Sequence, residues 1–375
     1  MVTTAGSACK RRLRAGGPPV LCCALSGFRV VMEERPALFR VGGFPGLALL
    51  LALGLLLLAV PARAALIEQM VDAAGEEAAI ATGLGDALVR LAGFRSPELS
   101  ELAGTMLEDA DRSWLRSLER RGPERFLLAF DRARLRAALQ DAAVPVWVGS
   151  RPALLVWVVL EREDRRLLLG SGMDQEGVLT SLREWAARRD VPLLFPLADL
   201  EDRRQVHTAD VVGGVTEALV GPSRRYDPDG LMLLHLFQRG DRVRARAWLS
   251  HRGHEVQSDV TADSAAVAAM EAAAEGFDQL GARLARVLVE DASARVGFSG
   301  VASMADLQSL RARLAALEAV QSVQIQRLLP GAAVLALDTG LEPGALAEVL
   351  AGEGFAAADA PGGGSDVDFW FRSVR

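Results

Sequence analysis

Three short apolar runs limit what this chain can fold into: Ala153–Glu161 (ALLVWVVLE), Val191–Leu197 (VPLLFPL) and Leu231–Phe237 (LMLLHLF). None alternates polar with apolar, so each reads as a strand buried on both faces, and such strands lie inside sheets covered by helices on either side. Between them, Gln175–Arg189 is an amphipathic segment that turns Val178, Leu182, Trp185 and Ala186 inward, and Ala209–Leu219 reads as a further helix. Tyr226-Asp227-Pro228-Asp229-Gly230 is a turn before the third run, with Tyr226, Asp229 and Gly230 as its structural residues. RVRARAWLS and HEVQSDVTA then alternate as a hairpin about Arg252-Gly253, and Ser264–Leu288 is an Ala-rich helix. Residues 149–290 are therefore expected to form an α/β layered domain.

On either side the patterns differ. Residues 65–148 read as a small α+β domain: a helix Gly75–Leu91 stopped by Gly93, helical spacing over Ser96–Glu108, a strand Arg125–Phe130, and a helix Arg132–Ala142 capped by Asp131. Arg132, Arg134 and Arg136 are expected on the solvated face of that last helix. Residues 294–375 read strand, helix, strand, strand, helix, strand, the βαββαβ order of ferredoxin-like domains. The expected class is α+β and α/β multidomain.

Upstream, Val41–Val60 is a nearly unbroken apolar run followed by Pro61 and Ala62-Arg63-Ala64, the pattern of a signal peptide (residues 32–64) cut before Ala65. Met32 opens a compact charged lead-in, and residues 1–31 read as a false upstream start. The expected address is the periplasm. The alternative is an uncleaved run that anchors a periplasmic body in the inner membrane, the only membrane contact foreseen. Met1–Ala64 carries eight of the 42 basic and two of the 48 acidic residues, so its removal takes the net charge from −6 to −12. That balance argues against nucleic-acid binding. Cys9, Cys22, Cys23 and the only lysine, Lys10, leave with it. A body without thiols has no disulfide, thiolate-bound metal or cysteine nucleophile.

Candidate chemistry is sparse. Asp199, Glu201 and Asp202, with His207 and Asp210, form the best acid-base group, because they follow a buried strand. The same carboxylates suit the start of a helix, where they cap and meet its dipole. His251 and His254 have metal-like spacing but no third ligand nearby, and read as exposed residues of a turn; no metal is expected. Gly170–Gly177 matches neither the dinucleotide nor the Walker spacing, so no cofactor is expected. GFSG at 297–300 is not a nucleophile elbow. His235, inside an apolar run, reads as a satisfied core residue.

The segments VPVWVGSRPALLVWVVLE, VPLLFPLADLEDRRQV, ADVVGG and SRRYDPDGLMLLHL, in that order, resemble the bacterial domain-of-unknown-function 2066 family over about Leu66–Leu288, most specifically Pro145–Leu236. The resemblance implies an exported envelope protein without an assigned activity. RYDPDGLMLLHL is more distantly similar to the module shared by the N-terminal domain of TolB and by curli-secretion proteins, which implies an envelope assembly role. Here Asp227-Pro228-Asp229-Gly230 replaces that module's usual turn. Two functions follow as expectations: a non-enzymatic scaffold or assembly factor whose partners are envelope proteins, or a periplasmic hydrolase using the Asp199–Asp210 region.

Overall fold

The computed structural model describes residues 66–163, 165–290, 292–360 and 366–372, a mixed α+β protein with several sheets. The apolar run and the cleavage residues Ala62, Ala64 and Ala65 lie outside them. No helix among the described residues is long and apolar enough to cross a membrane.

The chain enters on β1 (Leu66–Asp72), which pairs antiparallel with β3 (Arg125–Asp131); β2 (Leu115–Arg120) lies on the other side of β3. β1 and β2 are additions to the sequence reading. β1 alternates, but one of its inward positions is Gln69, and β2 is half charged, so neither presents a clean apolar face. α1 (Glu76–Ala92) buries Ala79, Leu84, Leu88 and Leu91 as its spacing predicts. It stops at Gly93, where φ is +88° and the Trp147 ring leaves no room for a side chain. α2 (Pro97–Glu108) follows, capped by Ser96, and then α3 (Arg132–Asp141), capped by Asp131.

The arginines of α3 depart from expectation. Arg132 donates to both oxygens of buried Glu318 at 2.9 Å, and Arg136 donates to the Glu318 carbonyl. Only Arg134 of the three is exposed. The partner lies more than 180 residues away, out of reach of any local pattern.

A short strand, β4 (Val146–Trp147), leads into the central sheet of β5 (Leu154–Arg162), β6 (Arg165–Leu169), β7 (Leu193–Leu194), β8 (Gly230–Arg239), β9 (Arg242–His251) and β10 (His254–Ala262). The order is β10-β9-β8-β5-β6, with β7 beside β5; β5 is parallel to β8 and β7, and the remaining pairs are antiparallel. β5 feeds two cores, as a doubly buried strand must. Leu154, Val156, Val158 and Leu160 meet α4 (Val178–Arg189) and α8 (Ala265–Leu284), whereas Leu155, Trp157 and Val159 face α5 (Leu200–Gln205), α6 (Thr208–Gly213) and α7 (Thr216–Ser223). The expected buried strand at Val191–Leu197 is cut to Leu193–Leu194, half-buried, because Pro192 and Pro196 supply no ladder N–H. β9 and β10 join through Arg252 (φ +49°) and Gly253 (φ +79°), the two left-handed residues of a tight hairpin.

After β11 (Ala285–Arg286), which pairs with β4 as a two-stranded sheet, a C-terminal sheet contains β12 (Ser293–Ser299), β13 (Val320–Leu329), β14 (Ala332–Thr339), β15 (Ala356–Ala357) and β16 (Phe369–Arg372). Its order is β13-β14-β12-β16-β15. α9 (Met304–Ala315), with a Ser303/Asp306 capping box, and α10 (Pro343–Gly352) supply the buried leucines under it. The closing strand differs from the sequence reading. The added β15 reverses the chain, so β16 runs parallel to β12. One hydrophobic cluster joins Leu84 and Phe130 to Val296, Leu335 and Phe371.

Candidate functional site

The acid-base group of the sequence falls at the start of α5, and its carboxylates are engaged there. Asp199 accepts from the backbone N–H of Glu201 (3.1 Å) and Asp202 (3.0 Å), an N-cap. Arg225 reaches Asp199 and Asp202, each at 3.1 Å, and Glu201 at 3.5 Å. Its guanidinium holds the Asp199 carboxyl below the usual carboxylate range.

Asp202 is buried, and its second oxygen accepts from the Ala198 N–H (2.9 Å) and the Tyr226 hydroxyl (2.7 Å). That hydroxyl in turn accepts from the Leu197 N–H at 2.9 Å, and the tyrosine ring meets Trp157 edge-on. His207 stands apart: exposed, it precedes α6 without a side-chain cap. Asp210 lies inside α6 and takes part through its backbone, its carbonyl accepting from Gly214 and Val215. The five residues are therefore neighbours in sequence without converging on one reacting point. A general base needs a proton within hydrogen-bond reach, and here the buried carboxylate already holds its partners.

The turn residues Asp229 and Gly230 lie where β5 and β8 begin. Asp229 accepts from the Ala153 N–H at 2.9 Å, tying the starts of β5 and β8, and Gly230 sits under the Ser250 carbonyl where a side chain would collide. Asp174 explains the glycine-rich loop: it caps α4 through Leu179 and Thr180. His235 bonds Glu161 through Nε2 at 3.1 Å, but its buried Nδ1 has no partner among the described residues, so it is only half satisfied.

A second place was not foreseen as one site. The β9–β10 turn meets α10, and Glu353 fastens them: Arg252 donates to its two oxygens at 2.9 and 3.1 Å, and Ser150 adds its N–H (3.1 Å) and hydroxyl (2.6 Å). Burial by itself would raise the Glu353 carboxyl; the hydrogen bonds from Arg252 and Ser150 outweigh it and leave the group below its ordinary value. Beside this clasp opens a cleft of about 200 Å³ that includes His251 and His254.

His251 corrects the sequence reading of two exposed histidines. It is 3% exposed and donates from Nδ1 to the Asp229 carbonyl at 2.9 Å. The spacing of the pair is a usable signal in the sequence; the burial of His251 beside the distant Trp147 and the end of α8, which line the same cleft, is not. Among the described residues no cluster of three or more His, Asp, Glu or Cys is placed to hold a metal ion. No family model, curated protein or solved structure matches the chain.

Proposed function

We propose that this protein is an exported, non-enzymatic scaffold or assembly factor of the bacterial envelope, related to the domain-of-unknown-function 2066 proteins and acting through its surfaces on other envelope proteins. The observation that carries the reading is the saturation of Asp202. The best acid-base candidate of the sequence spends its oxygens on Ala198, Tyr226 and Arg225, which favours an architectural role for the whole Asp199–Asp210 segment over the hydrolase alternative.

Two finer readings belong to the proposal. The β5–β8 parallel pair followed by antiparallel β9 and β10, entered through the Tyr226–Gly230 turn, supports kinship with the TolB-type module. The β13-β14-β12 order supports a ferredoxin-like plan in which β15 and the parallel β16 are a variation. Such plans carry no function by themselves, so the role rests on the residues and the address.

Crosslinking in intact cells followed by pull-down from the envelope fraction tests it. A specific protein partner is expected, and sequencing the mature N-terminus is expected to begin at Ala65. Recovery of a bound small molecule with no protein partner counts against the scaffold.

A further inference from the structure

The cleft beside the Glu353 clasp has an apolar floor of Trp147, Val148, Leu284 and Val349. Above it stand two imidazoles. His251 and His254 are directly paired across the hairpin and share the sheet face that carries Leu249 and Val256. Because a carbonyl can only accept, the bond from His251 Nδ1 to Asp229 fixes the tautomer and leaves Nε2 with its lone pair. No hydrogen bond engages that Nε2 among the described residues. Burial lowers the pKa of the ring, which keeps it an acceptor at neutral pH.

Two charged residues complete the lining. Arg286 donates to the carbonyls of Arg283 (3.1 Å) and Ala285 (3.0 Å) through a single guanidinium nitrogen, and no carboxylate pairs with it among the described residues. Glu348, on α10, likewise has no ion pair or side-chain hydrogen bond among them. Arg252 and Glu353, by contrast, are spent on each other.

We propose that this cleft binds a zwitterion of amino-acid size with an apolar side chain. The ligand carboxylate meets Arg286, its ammonium meets Glu348 and the Nε2 of His251, and its side chain lies on Leu284 and Val349, the two apolar lining residues that are only half-buried. An anion alone would face a carboxylate and a lone pair; a cation alone would leave Arg286 without a partner. The apolar floor disfavours an occupant without a hydrophobic part. The volume, below the several hundred Å³ of pockets for larger ligands, suits an occupant of amino-acid size. This site does not depend on the scaffold reading, and a partner protein found without ligand binding would sink the site alone.

Calorimetric titration of the purified chain with L-leucine is the test. Saturable binding is expected, at least about tenfold tighter than for 4-methylpentanoate, 3-methylbutylamine or glycine, which lack the ammonium, the carboxylate and the apolar side chain in turn. Arg286→Gln and Glu348→Gln are each expected to weaken leucine by about tenfold. The ligand series needs no variant, so misfolding cannot mimic its result. Absence of saturable binding overturns the site, and so do equal affinities for leucine and 4-methylpentanoate.

Discussion

Asp202 and Glu353 are both carboxylates drawn out of water and filled with donors, yet they assemble from opposite ranges of the chain. Asp202 collects Ala198, Arg225 and Tyr226 within thirty residues. Glu353 collects Ser150 and Arg252 across 203 and 101 residues. The first ties the start of α5 to the entry of β8, a local joint inside one layer. The second ties α10 to the β9–β10 turn, and so couples the C-terminal sheet to the central one. Similar chemistry therefore serves local shape in one place and long-range assembly in the other.

The largest effect is expected at the local joint. Asp202→Ala leaves the Tyr226 hydroxyl and the Ala198 N–H without an acceptor in a side-chain site only 1% exposed. A loss of about 3 kcal/mol follows, read as a lower urea midpoint at unchanged slope. Asp202→Asn keeps one acceptor oxygen and is expected to recover part of it. A loss below about 1 kcal/mol for the alanine variant would mean that the buried network is not structural.

Glu353→Ala comes next, at about 2 kcal/mol, because its side chain remains 10% exposed and Arg252 can turn to solvent. Its signature is spatial. Hydrogen exchange should rise in α10 and in the β9–β10 turn while α5 stays protected, and Asp202→Ala should give the converse. Equal deprotection of both regions by either variant would break the distinction between local joint and long-range clasp.

The same contrast explains what was legible in the sequence. The two-core strand at 153–161, the Asp131 cap, the Arg252-Gly253 turn and the capping alternative for Asp199 all follow from spacing within a few residues. The Arg132–Glu318 contact, the burial of His251 and the Glu353 clasp require knowing which distant elements pack together. The apolar count over 191–197 overstates β7 because it hides two prolines, and β1 leaves no clean alternation because Gln69 occupies an inward position, where it meets the Arg188 carbonyl at 3.4 Å. The reversal of β16 depends on the two-residue β15, too short to leave a pattern.

Acid should sharpen the comparison further. Glu353 is held below its ordinary value of 4.5, so it contributes stability above that pH and loses it as pH falls through the lower native pKa. Subtracting the Glu353→Gln stability curve from that of the unsubstituted chain should give a constant difference above about pH 5 that shrinks below pH 4.5. His251, with its pKa lowered by burial, acts in a different window. Its unfolded form takes up a proton near 6.5, so stability falls as pH drops from that value toward the native pKa. Replacing His251 with Asn should make that upper limb shallower and leave the share of His235, whose pKa burial also lowers, in place. A difference curve for Glu353 that does not change with pH would mean that the clasp is held by shape, with the charge contributing nothing.

The smallest effect is expected at His207, and it bears on the hydrolase alternative. The side chain is exposed, and α6 begins beside it without a bond to the imidazole. His207→Ala should change stability by no more than about 0.5 kcal/mol. If the Asp199–Asp210 segment is architecture, the variant should also complement a deletion strain as well as the unsubstituted chain, whereas Asp202→Ala should fail in proportion to its lost stability and be rescued by growth at lower temperature. Loss of complementation by His207→Ala at full stability would separate chemistry from folding in this segment. It would return the imidazole to an acid-base role that the carboxylate contacts argue against.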